Sequence, residues 1–270
     1  MTAARVIGMR WAALIAVCLL SAAPPAFARI KRTRPSASST AAVPGAQPSI
    51  WTPFYSLILG GGVEYQSDDE QTEYGFPILI EYHFSERIAL TIEPMFASIR
   101  GRKPGVRSVS GFGDLETTLD YEFLRERRYR PALSVEGKIR WPTAADRDLG
   151  NRGRDYTLGL IASKDLVLME VDLNVLYTFT GDREREDTVE ISLAAGWHMN
   201  RRVDLIAEVS HVQWVGHLRG SGTGGQSETE GTVGLAWRVN EFLKFEQGVV
   251  FKEHGLREVV FAWEWSFGGE

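Results

Sequence analysis

The sequence contains almost no cysteine: Cys18 is the one example in 270 residues. It lies in an N-terminal apolar segment that we expect to be removed, so the mature protein would have no disulfide, thiolate metal ligand or thiol nucleophile. A lipoprotein signal needs a small residue before its cysteine, and here Val17 occupies that position. Stability outside the cytoplasm must therefore come from something other than cross-links.

Two further absences limit the class of protein. Beyond the N-terminus no apolar run approaches the roughly 18 residues of a membrane helix, which excludes a helical inner-membrane protein. Residues 51–270 hold 24 basic residues against 35 acidic ones, a net charge of −11. This balance argues against a nucleic-acid-binding surface, so we expect no nucleic-acid partner. Disorder of the body is also excluded, because its apolar and aromatic content is that of folded proteins.

The N-terminus has the three regions of a secretory signal in the expected order. Met1–Arg10 is basic, Trp11–Ala23 is apolar, and Ala26–Ala28 supplies a small-x-small cleavage pattern. We therefore predict a signal peptide over residues 1–28, cleaved near Ala28. Residues 29–50, rich in serine, alanine and proline, predict a flexible periplasmic tail. The remaining residues, 51–270, suit a single domain.

The body alternates between apolar and polar residues with a period of two. From position 115 to 123 the odd residues are Leu, Thr, Leu, Tyr and Phe, whereas the even residues from 114 to 122 are Asp, Glu, Thr, Asp and Glu. Only an extended strand separates these sets onto opposite faces. The same pattern predicts twelve strands, over 54–66, 76–84, 88–100, 112–123, 131–142, 155–163, 166–179, 188–199, 202–215, 229–239, 242–252 and 257–268. Near His211 the alternation slips, which predicts a bulge.

Strand length and loop length together indicate a membrane barrel. Most predicted strands have 9–14 residues, which suits a tilted membrane-spanning strand. Odd connections such as Thr143–Arg154 and Gly216–Glu228 are long, whereas even ones such as Lys164–Asp165 are short. Outer-membrane barrels combine short periplasmic turns with long external loops in this way. We therefore predict an all-β fold, a closed antiparallel up-and-down transmembrane β-barrel of about twelve strands.

Aromatic residues near the strand ends support a lipid-facing outer surface. The apolar sets carry aromatic residues at the ends, as interfacial girdles require; they are Tyr55, Tyr65, Phe76, Phe84, Trp141, Trp197, Trp237 and Phe267. A soluble β protein with the same alternation is the alternative, since period two does not by itself fix which face is outside. The many charges of both signs in the polar sets suit a watery lumen better.

The polar sets would line the lumen of a barrel that is intermediate in width between a filled and an open one. A transverse ladder is expected where the acidic fourth strand pairs with the fifth, which carries Lys138 and Arg140. The residues expected to line the lumen and to set its selectivity are Asp114, Glu116, Asp120, Glu122, Glu136, Lys138, Arg140, Glu170 and Asp172. Opposed charged rows orient polar solutes in a pore. The alternative is that the same residues form ion pairs in a filled interior, and both can hold together.

No catalytic, metal or cofactor constellation stands out, so we predict no enzyme. Ser210 and His211 are adjacent in a strand and should point to opposite faces, which argues against a membrane-embedded esterase pair. The histidines form no metal-binding cluster. The run Gly60–Gly62 lies in a strand with no following helix, so it is not a phosphate loop and is better explained by curvature or close packing.

Three segments resemble a known family. They are Gly111–Leu124 (GFGDLETTLDYEFL), Arg130–Ala144 (RPALSVEGKIRWPTA) and Gly153–Leu166 (GRDYTLGLIASKDL). Together they resemble the outer-membrane barrel family named for the MetA pathway of phenol degradation, whose members are described as transporters. The matched motif positions are Gly111, Gly113, Asp114, Pro142, Thr143, Gly153 and Asp155. The sequence departs at Ala144, where the family usually has glycine.

The resemblance implies passage of small molecules, aromatic or hydrophobic ones among them, across the outer membrane. We therefore expect a narrow channel or facilitator whose partners are outer-membrane lipid, the barrel-assembly machinery and an unidentified small-molecule permeant. Two alternatives stay open. One is an outer-membrane enzyme acting on lipid, and the other is a structural or adhesive barrel with a sealed lumen, whose function would lie in loops Gly101–Gly111 and Gly216–Glu228.

Overall fold

The computed structural model describes residues 57–67, 71–103, 107–182, 185–215, 227–252 and 255–267. Within these ranges no helix is both long enough and apolar enough to cross a membrane. The predicted signal peptide, residues 1–28, and the predicted tail, residues 29–50, lie outside the described residues. So do Tyr55 and most of the predicted loop Gly216–Glu228.

The described chain is made of fourteen β-strands joined by turns and loops. The strands are β1 (Leu57–Ser67), β2 (Gln71–Ser85), β3 (Ile88–Glu93), β4 (Met95–Gly101), β5 (Val109–Phe112), β6 (Leu115–Leu124), β7 (Ala132–Trp141), β8 (Asp155–Asp165), β9 (Met169–Phe179), β10 (Asp187–His198), β11 (Val203–Val215), β12 (Ser227–Arg238), β13 (Leu243–Lys252) and β14 (Gly255–Phe267).

Every strand pairs antiparallel with its neighbour, and β1 pairs with both β2 and β14. The sheet therefore closes on itself, with no free edge between the first and last strands. The fold predicted from the alternation, a closed antiparallel up-and-down barrel, is confirmed.

Two of the twelve spans are each divided into two strands. β3 and β4 keep one register against β2, and the amide of Ile78 donates to the carbonyl of Pro94 at 2.9 Å, so they form one span. The division falls at Pro94 because proline has no N–H to donate to the next strand. β5 and β6 likewise form one span, interrupted at residues 113–114.

The interruption at residues 113–114 is a β-bulge. Phe96 lies opposite Phe112, whereas Glu93 lies opposite Glu116, so the second span carries one residue more than its partner. An extra residue reverses the alternation on either side of it. Phe112 consequently faces outward, and Asp114 falls outside the regular ladder. The prediction of an unbroken strand over 112–123 is therefore wrong at its start.

Other boundaries also differ from the predicted ones. β2 begins at residue 71 rather than 76, which shortens the first connection to residues 68–70. The prediction of a bulge near His211 is wrong, because β11 keeps one register against both of its neighbours, β10 and β12. His211 faces outward, and its Nδ1 lies 2.9 Å from the hydroxyl of Thr229 on β12. This hydrogen bond satisfies a polar side chain without a break in the ladder.

The outer surface of the barrel is apolar. Leu158, Leu193 and Val209 are examples of outward aliphatic side chains, each more than half exposed. On the outward positions of the described strands, charged side chains occur only at strand ends, at Arg100, Lys164 and Asp187. A surface that is apolar between its two ends is the one a bilayer requires.

Aromatic side chains gather at both ends of this apolar surface. Phe112 packs edge-on against Phe96 near the external loops, with ring centroids 5.6 Å apart. At the opposite end Trp265 stacks on Phe267 at 5.7 Å. The aromatic residues predicted to form girdles lie on this surface where the structure describes them, with Phe84, Trp197 and Trp237 all more than half exposed. Such rings sit at the headgroup level of a membrane.

A charged residue in the middle of the apolar surface should destabilise the barrel. Leu193 is 54% exposed and lies between Leu173 and Val209 of the neighbouring strands. We expect Leu193→Arg to lower the free energy of unfolding by about 2–4 kcal/mol, because the cation would face hydrocarbon. The measurement is urea-dependent folding into phospholipid vesicles.

Leu193→Phe is the matched control, since it keeps an apolar side chain at the same position. We expect it to change the free energy of unfolding by less than about 1 kcal/mol. Equal stability of the arginine and phenylalanine variants would contradict an outward, lipid-facing Leu193.

Candidate functional site: the barrel lumen and its external loop

The inward positions of the strands carry a large excess of carboxylates. Twenty acidic residues share the inward face, namely Glu64, Glu73, Glu81, Glu93, Glu116, Asp120, Glu122, Glu136, Asp155, Asp165, Glu170, Asp172, Glu190, Asp204, Glu208, Glu228, Glu230, Glu246, Glu258 and Glu264. The lysine and arginine side chains described on the same face are Lys138, Arg140, Arg238 and Lys244. The lumen wall is therefore strongly acidic.

The predicted charge ladder between β6 and β7 is concentrated on a single carboxylate. Glu116 lies directly opposite Arg140, and Nη2 of Arg140 is 2.7 Å from Oε1 of Glu116. The ammonium of Lys138, two residues along β7, lies 3.0 Å from the other oxygen of Glu116. Arg140 also reaches Asp155 on β8, at 3.8 Å. Both cations of β7 are therefore held by carboxylates near the external end.

The other predicted residues of β6 and β7 lie deeper in the barrel. Asp120 is opposite Glu136, and Glu122 is opposite Ser134, so the register places no cation directly across from either residue of β6. Glu122 and Glu136 are both buried, at 4% and 5% exposure. Burial of this kind means that side chains, rather than a wide channel, occupy much of the lumen at this height.

Glu170 and Asp172, the predicted residues of β9, also face inward. Asp172 lies opposite Ser163 on β8 and Ala194 on β10, and it is only 2% exposed. Glu170 lies two residues closer to the periplasmic turn, opposite Gly196. These two carboxylates belong to a part of the wall separate from the Lys138 and Arg140 ladder.

A second charged cluster, near the periplasmic end, was not singled out from the sequence. Asp204 is 2.9 Å from His198 Nδ1 and 2.8 Å from Arg238 Nη2. Beside it, Lys244 is 2.7 Å from Glu246, which is 2% exposed. All five residues lie at inward positions, but their grouping depends on pairing across four strands, which a single sequence does not reveal.

Asp114 does not line the lumen wall as a strand residue. Its carboxylate lies in the bulge and accepts hydrogen bonds from the amide of Ala144 at 3.1 Å and of Asn151 at 2.6 Å. These two amides belong to residues 142–154, the connection between β7 and β8, which we call the anchored loop. Bulges commonly redirect a side chain in this way. Asp114 thus holds a loop, a role that alternation alone does not predict.

Two glycines of the family-like segments lie directly beneath the anchored loop. A Cβ at Gly111 would come within 3.3 Å of the Leu149 side chain, and one at Gly113 within 3.1 Å of the Leu149 carbonyl. Gly111 occupies an inward position, opposite Ala97. The anchored loop therefore folds toward the inner side of the external opening, and the glycines allow the close approach.

The remaining motif residues fix the ends of the same loop. Thr143, which follows Pro142, accepts a hydrogen bond from the amide of Leu115 through its hydroxyl, at 2.9 Å. Asp155, buried at 3% exposure, accepts from the side chain of Asn151 at 2.8 Å and from the amide of Gly181 at 3.0 Å.

Gly153 completes this end of the anchored loop, because a Cβ there would collide with the backbone of Gly181. The positions that carry the family resemblance thus converge on one structure, the attachment of the anchored loop to the barrel rim.

An ion pair on the outer side adds to this attachment. Arg107, from the preceding external connection, lies 2.8 Å from Asp146 and 3.5 Å from Asp148. The amide of Asp148 donates to Asp146 at 3.1 Å, and together with the Arg107 guanidinium it holds the pKa of the Asp146 carboxyl below its ordinary value. Because these groups are at the surface, the pair contributes little stability by itself.

The residues considered for catalysis do not come together. Ser210 faces the lumen opposite Ser192, whereas His211 faces outward. Within the described ranges there is no group of three His, Cys, Asp or Glu side chains arranged to hold a metal ion. The strand glycine Gly60 serves close packing, since a Cβ there would lie 3.0 Å from the carbonyl of Trp263 and 3.2 Å from Leu79.

Solved structures with the same fold are outer-membrane channels and porins. The COG4313 outer membrane channel from Pseudomonas putida F1 matches with a TM-score of 0.66 at 14% identity, covering 82% of this chain and 100% of that chain. A structure of the KdgM porin matches with a TM-score of 0.55 at 12% identity, covering 78% and 99% of the two chains. The NanC porin matches with a TM-score of 0.51 at 11% identity, covering 78% of this chain and 98% of that chain.

No protein-family model matches the sequence, and no curated protein matches it either. At these identities the structural likeness shows the fold. Together with the apolar outer surface and its aromatic ends, that fold makes the chain an outer-membrane β-barrel of the porin-like type. Membership of the phenol-degradation family stays a prediction.

Removing the Asp114 carboxylate should free the anchored loop without opening the barrel. In Asp114→Ala the amides of Ala144 and Asn151 lose their acceptor, at a cost of about 1–3 kcal/mol. We expect trypsin to cleave after the exposed Arg147 at least about fivefold faster, because cleavage follows local opening. The measurement is the cleavage rate of the folded protein in detergent.

Glu86→Ala removes an exposed carboxylate from the turn between β2 and β3, away from the anchored loop, and is the control, since the side chain of Glu86 meets Arg125 at the surface. We expect a cleavage rate close to that of the wild type. Unchanged cleavage of Asp114→Ala would show that the loop is held by other contacts.

Proposed function

We propose that this barrel is a narrow channel or facilitator that passes small molecules across the outer membrane. The single observation that supports this proposal most directly is the separation of charged and apolar side chains onto the inner and outer surfaces of the barrel. Charged side chains on the described strands face inward, and the outward positions between the strand ends are free of charge. A wall with polar groups inside and apolar groups outside surrounds a path through the bilayer.

The lumen is narrow. Thr91 and Thr118 on the inward face are fully buried, and so are Asp172 and Glu246 of the same wall. Twelve strands give a diameter below that of the sixteen-stranded porins, which leave an open aqueous channel. The anchored loop reduces the external opening further. Permeants are therefore small, and passage depends on the chemistry of the wall.

The channel structures named above support this proposal at the level of the fold. The resemblance to the phenol-degradation family extends the proposal to aromatic or hydrophobic permeants. The residues of this chain that carry the resemblance attach the anchored loop. Selectivity would then depend on the lumen residues predicted from the sequence, among them Glu116, Glu136 and Asp172. The apolar belt makes outer-membrane lipid a partner, and a strand-built membrane protein would need the barrel-assembly machinery for insertion.

The two alternative functions have less support. A lipid-acting enzyme needs a nucleophile and a base on one face, and Ser210 and His211 lie on opposite faces. A structural barrel with a sealed lumen would explain the buried inward side chains. It does not explain why so many of them are carboxylates, since a filled interior is cheaper to build from apolar groups.

Conductance is the direct test, and two glycines provide a matched pair of variants. A Cβ at Gly196 would meet no atom within 4 Å, and the same holds for Gly137. Gly196 faces the lumen, opposite Glu170 and Ile206, whereas Gly137 faces lipid, between Leu119 and Leu158. We expect Gly196→Phe to lower the single-channel conductance in a planar bilayer by at least about half, because it narrows the path.

Gly137→Phe adds the same side chain outside the path and should leave the conductance unchanged. A shift in gel mobility between boiled and unboiled samples would verify that both variants are folded. Absence of any conductance or solute flux through the wild-type barrel would reject the channel and favour the sealed structural barrel.

A further inference from the structure

We propose that two neighbouring periplasmic turns, residues 125–131 and 166–168, together form a binding site for anionic phospholipid of the inner leaflet of the outer membrane. The first turn supplies arginine side chains for the phosphate, and the second supplies an apolar tip that enters the lipid interface. The site lies outside the lumen, so it goes beyond the proposed channel function and does not depend on conductance.

The two turns are held side by side by the end of β8. Lys164, the outward cation of β8, contacts the carboxylate of Glu126 and donates to the carbonyl of Arg127 at 3.0 Å. The amide of Asp165 donates to the same Glu126 carboxylate at 3.3 Å. Because these contacts join the turn before β7 to the turn after β8, one ligand can meet both turns at once.

The first turn carries an excess of positive charge. Residues 125–130 (RERRYR) contain four arginines and one glutamate. Arg125 is held by Glu86 of the preceding periplasmic turn. Arg127 and Arg128 are both exposed, and neither forms an ion pair within the part of the chain that the structure describes. Two guanidinium groups are therefore available to phosphate oxygens, which guanidinium binds well.

Tyr129, at the tip of the first turn, adds an amphipathic ring. It is 86% exposed, and the guanidinium carbon of Arg128 lies 5.2 Å from its ring centroid. Stacking of this kind orders an arginine without neutralising it. Tyrosine suits the boundary between lipid and water, because its ring is apolar and its hydroxyl is polar. Arg128 and Tyr129 together offer a contact suited to a lipid headgroup.

The second turn is apolar and strained. Leu166, Val167 and Leu168 are all exposed, Val167 to 85%. The amide of Leu168 donates to the carbonyl of Leu166 at 2.8 Å, and Val167 between them has a φ of 71°. Among the residues that the structure describes, Val167 is the only non-glycine with a positive φ. Such a tight turn is strained, and a β-branched residue fits it poorly. An apolar tip is therefore present here at a local cost.

Lipid supplies the compensation for that cost. A side chain as exposed as Val167 gains almost nothing from packing within the protein. The turn borders the aromatic girdle: the amide of His198 donates to the carbonyl of Leu168 at 2.9 Å, and the neighbouring Trp197 is more than half exposed on the lipid-facing surface. The apolar tip thus continues a surface that already faces lipid. Its entry into the interface removes three apolar side chains from water, which offsets the strain.

The first test measures lipid binding by the refolded full chain in neutral detergent micelles. The probes are fluorescent phosphatidylglycerol and phosphatidylcholine with the same acyl chains, and the readout is the dissociation constant from fluorescence anisotropy. We expect phosphatidylglycerol to bind at least about fivefold more tightly, because its headgroup has no ammonium to repel the arginines. Arg127→Gln/Arg128→Gln should reduce that preference to less than about twofold.

Arg201→Gln/Arg202→Gln is the matched control. It removes two adjacent exposed arginines from the periplasmic turn between β10 and β11, so the net charge changes by the same amount. We expect this variant to keep the preference for phosphatidylglycerol. Gel mobility of boiled and unboiled samples verifies that each variant is folded, and Arg128→Gln replaces the first double variant if that one is not.

The second test asks whether Val167 lies in lipid. Val167→Cys, combined with Cys18→Ser, leaves one cysteine for an environment-sensitive fluorophore. After folding into phosphatidylglycerol vesicles, we expect a spin-labelled lipid to quench at least about half of the fluorescence, and iodide on both sides of the membrane to quench little of it. The same fluorophore at Arg201→Cys, in the charged control turn, should be quenched by iodide instead.

Each outcome supports or overturns the site. Loss of the preference in the Arg127 and Arg128 variant alone, with quenching at Val167 by lipid, supports it. Absence of a preference in the wild type, or equal loss in the control, overturns the assignment of the two arginines. Quenching at Val167 by iodide alone overturns lipid as the occupant and favours a periplasmic protein. Both tests are independent of conductance, so failure of the lipid site leaves the channel proposal intact.

Discussion

A membrane interior offers no water to the backbone, so every N–H and C=O of a spanning segment must find its partner within the protein. This chain meets that constraint by pairing β1 with β14, which closes the sheet. Closure explains how a barrel without cysteine in residues 51–270 could persist outside the cytoplasm. The ladder that satisfies the backbone also holds the first and last strands together, and a disulfide would add little to it.

The same constraint decides where the charges lie. Once the sheet is closed, each side chain faces either lipid or lumen, and the period of two distributes them alternately. A charge in the middle of the lipid face is costly, so charged residues of the strands occupy the inward positions. The acidity of the lumen thus follows from an acidic sequence folded into a closed membrane sheet. The closed fold and the acidity of the lumen therefore have one origin.

The alternation predicted most of the fold because it recurs in every strand and assigns alternate residues of that strand to opposite faces. It identified the twelve spans and assigned Glu116, Glu136 and Asp172 to the inward face. It failed where a single residue was inserted. The bulge at residues 113–114 contains a glycine, which carries neither apolar nor polar character. The exchange of inward and outward positions across the bulge is therefore not visible in the sequence pattern. Asp114 was therefore placed in the wall, although it anchors a loop.

Which carboxylates are neutralised could not be predicted, because that depends on the heights at which side chains on neighbouring strands meet. Glu116 binds both Lys138 and Arg140, since Arg140 is directly opposite and Lys138 is within reach two residues along. Both cations of β7 are thereby committed to the external end of the barrel. Further down the wall Asp172 has only Ser163 and Ala194 as its direct neighbours in the ladder. The electrostatic character of the lumen is accordingly set by where the described lysines and arginines are bound, which the net charge of the sequence does not reveal.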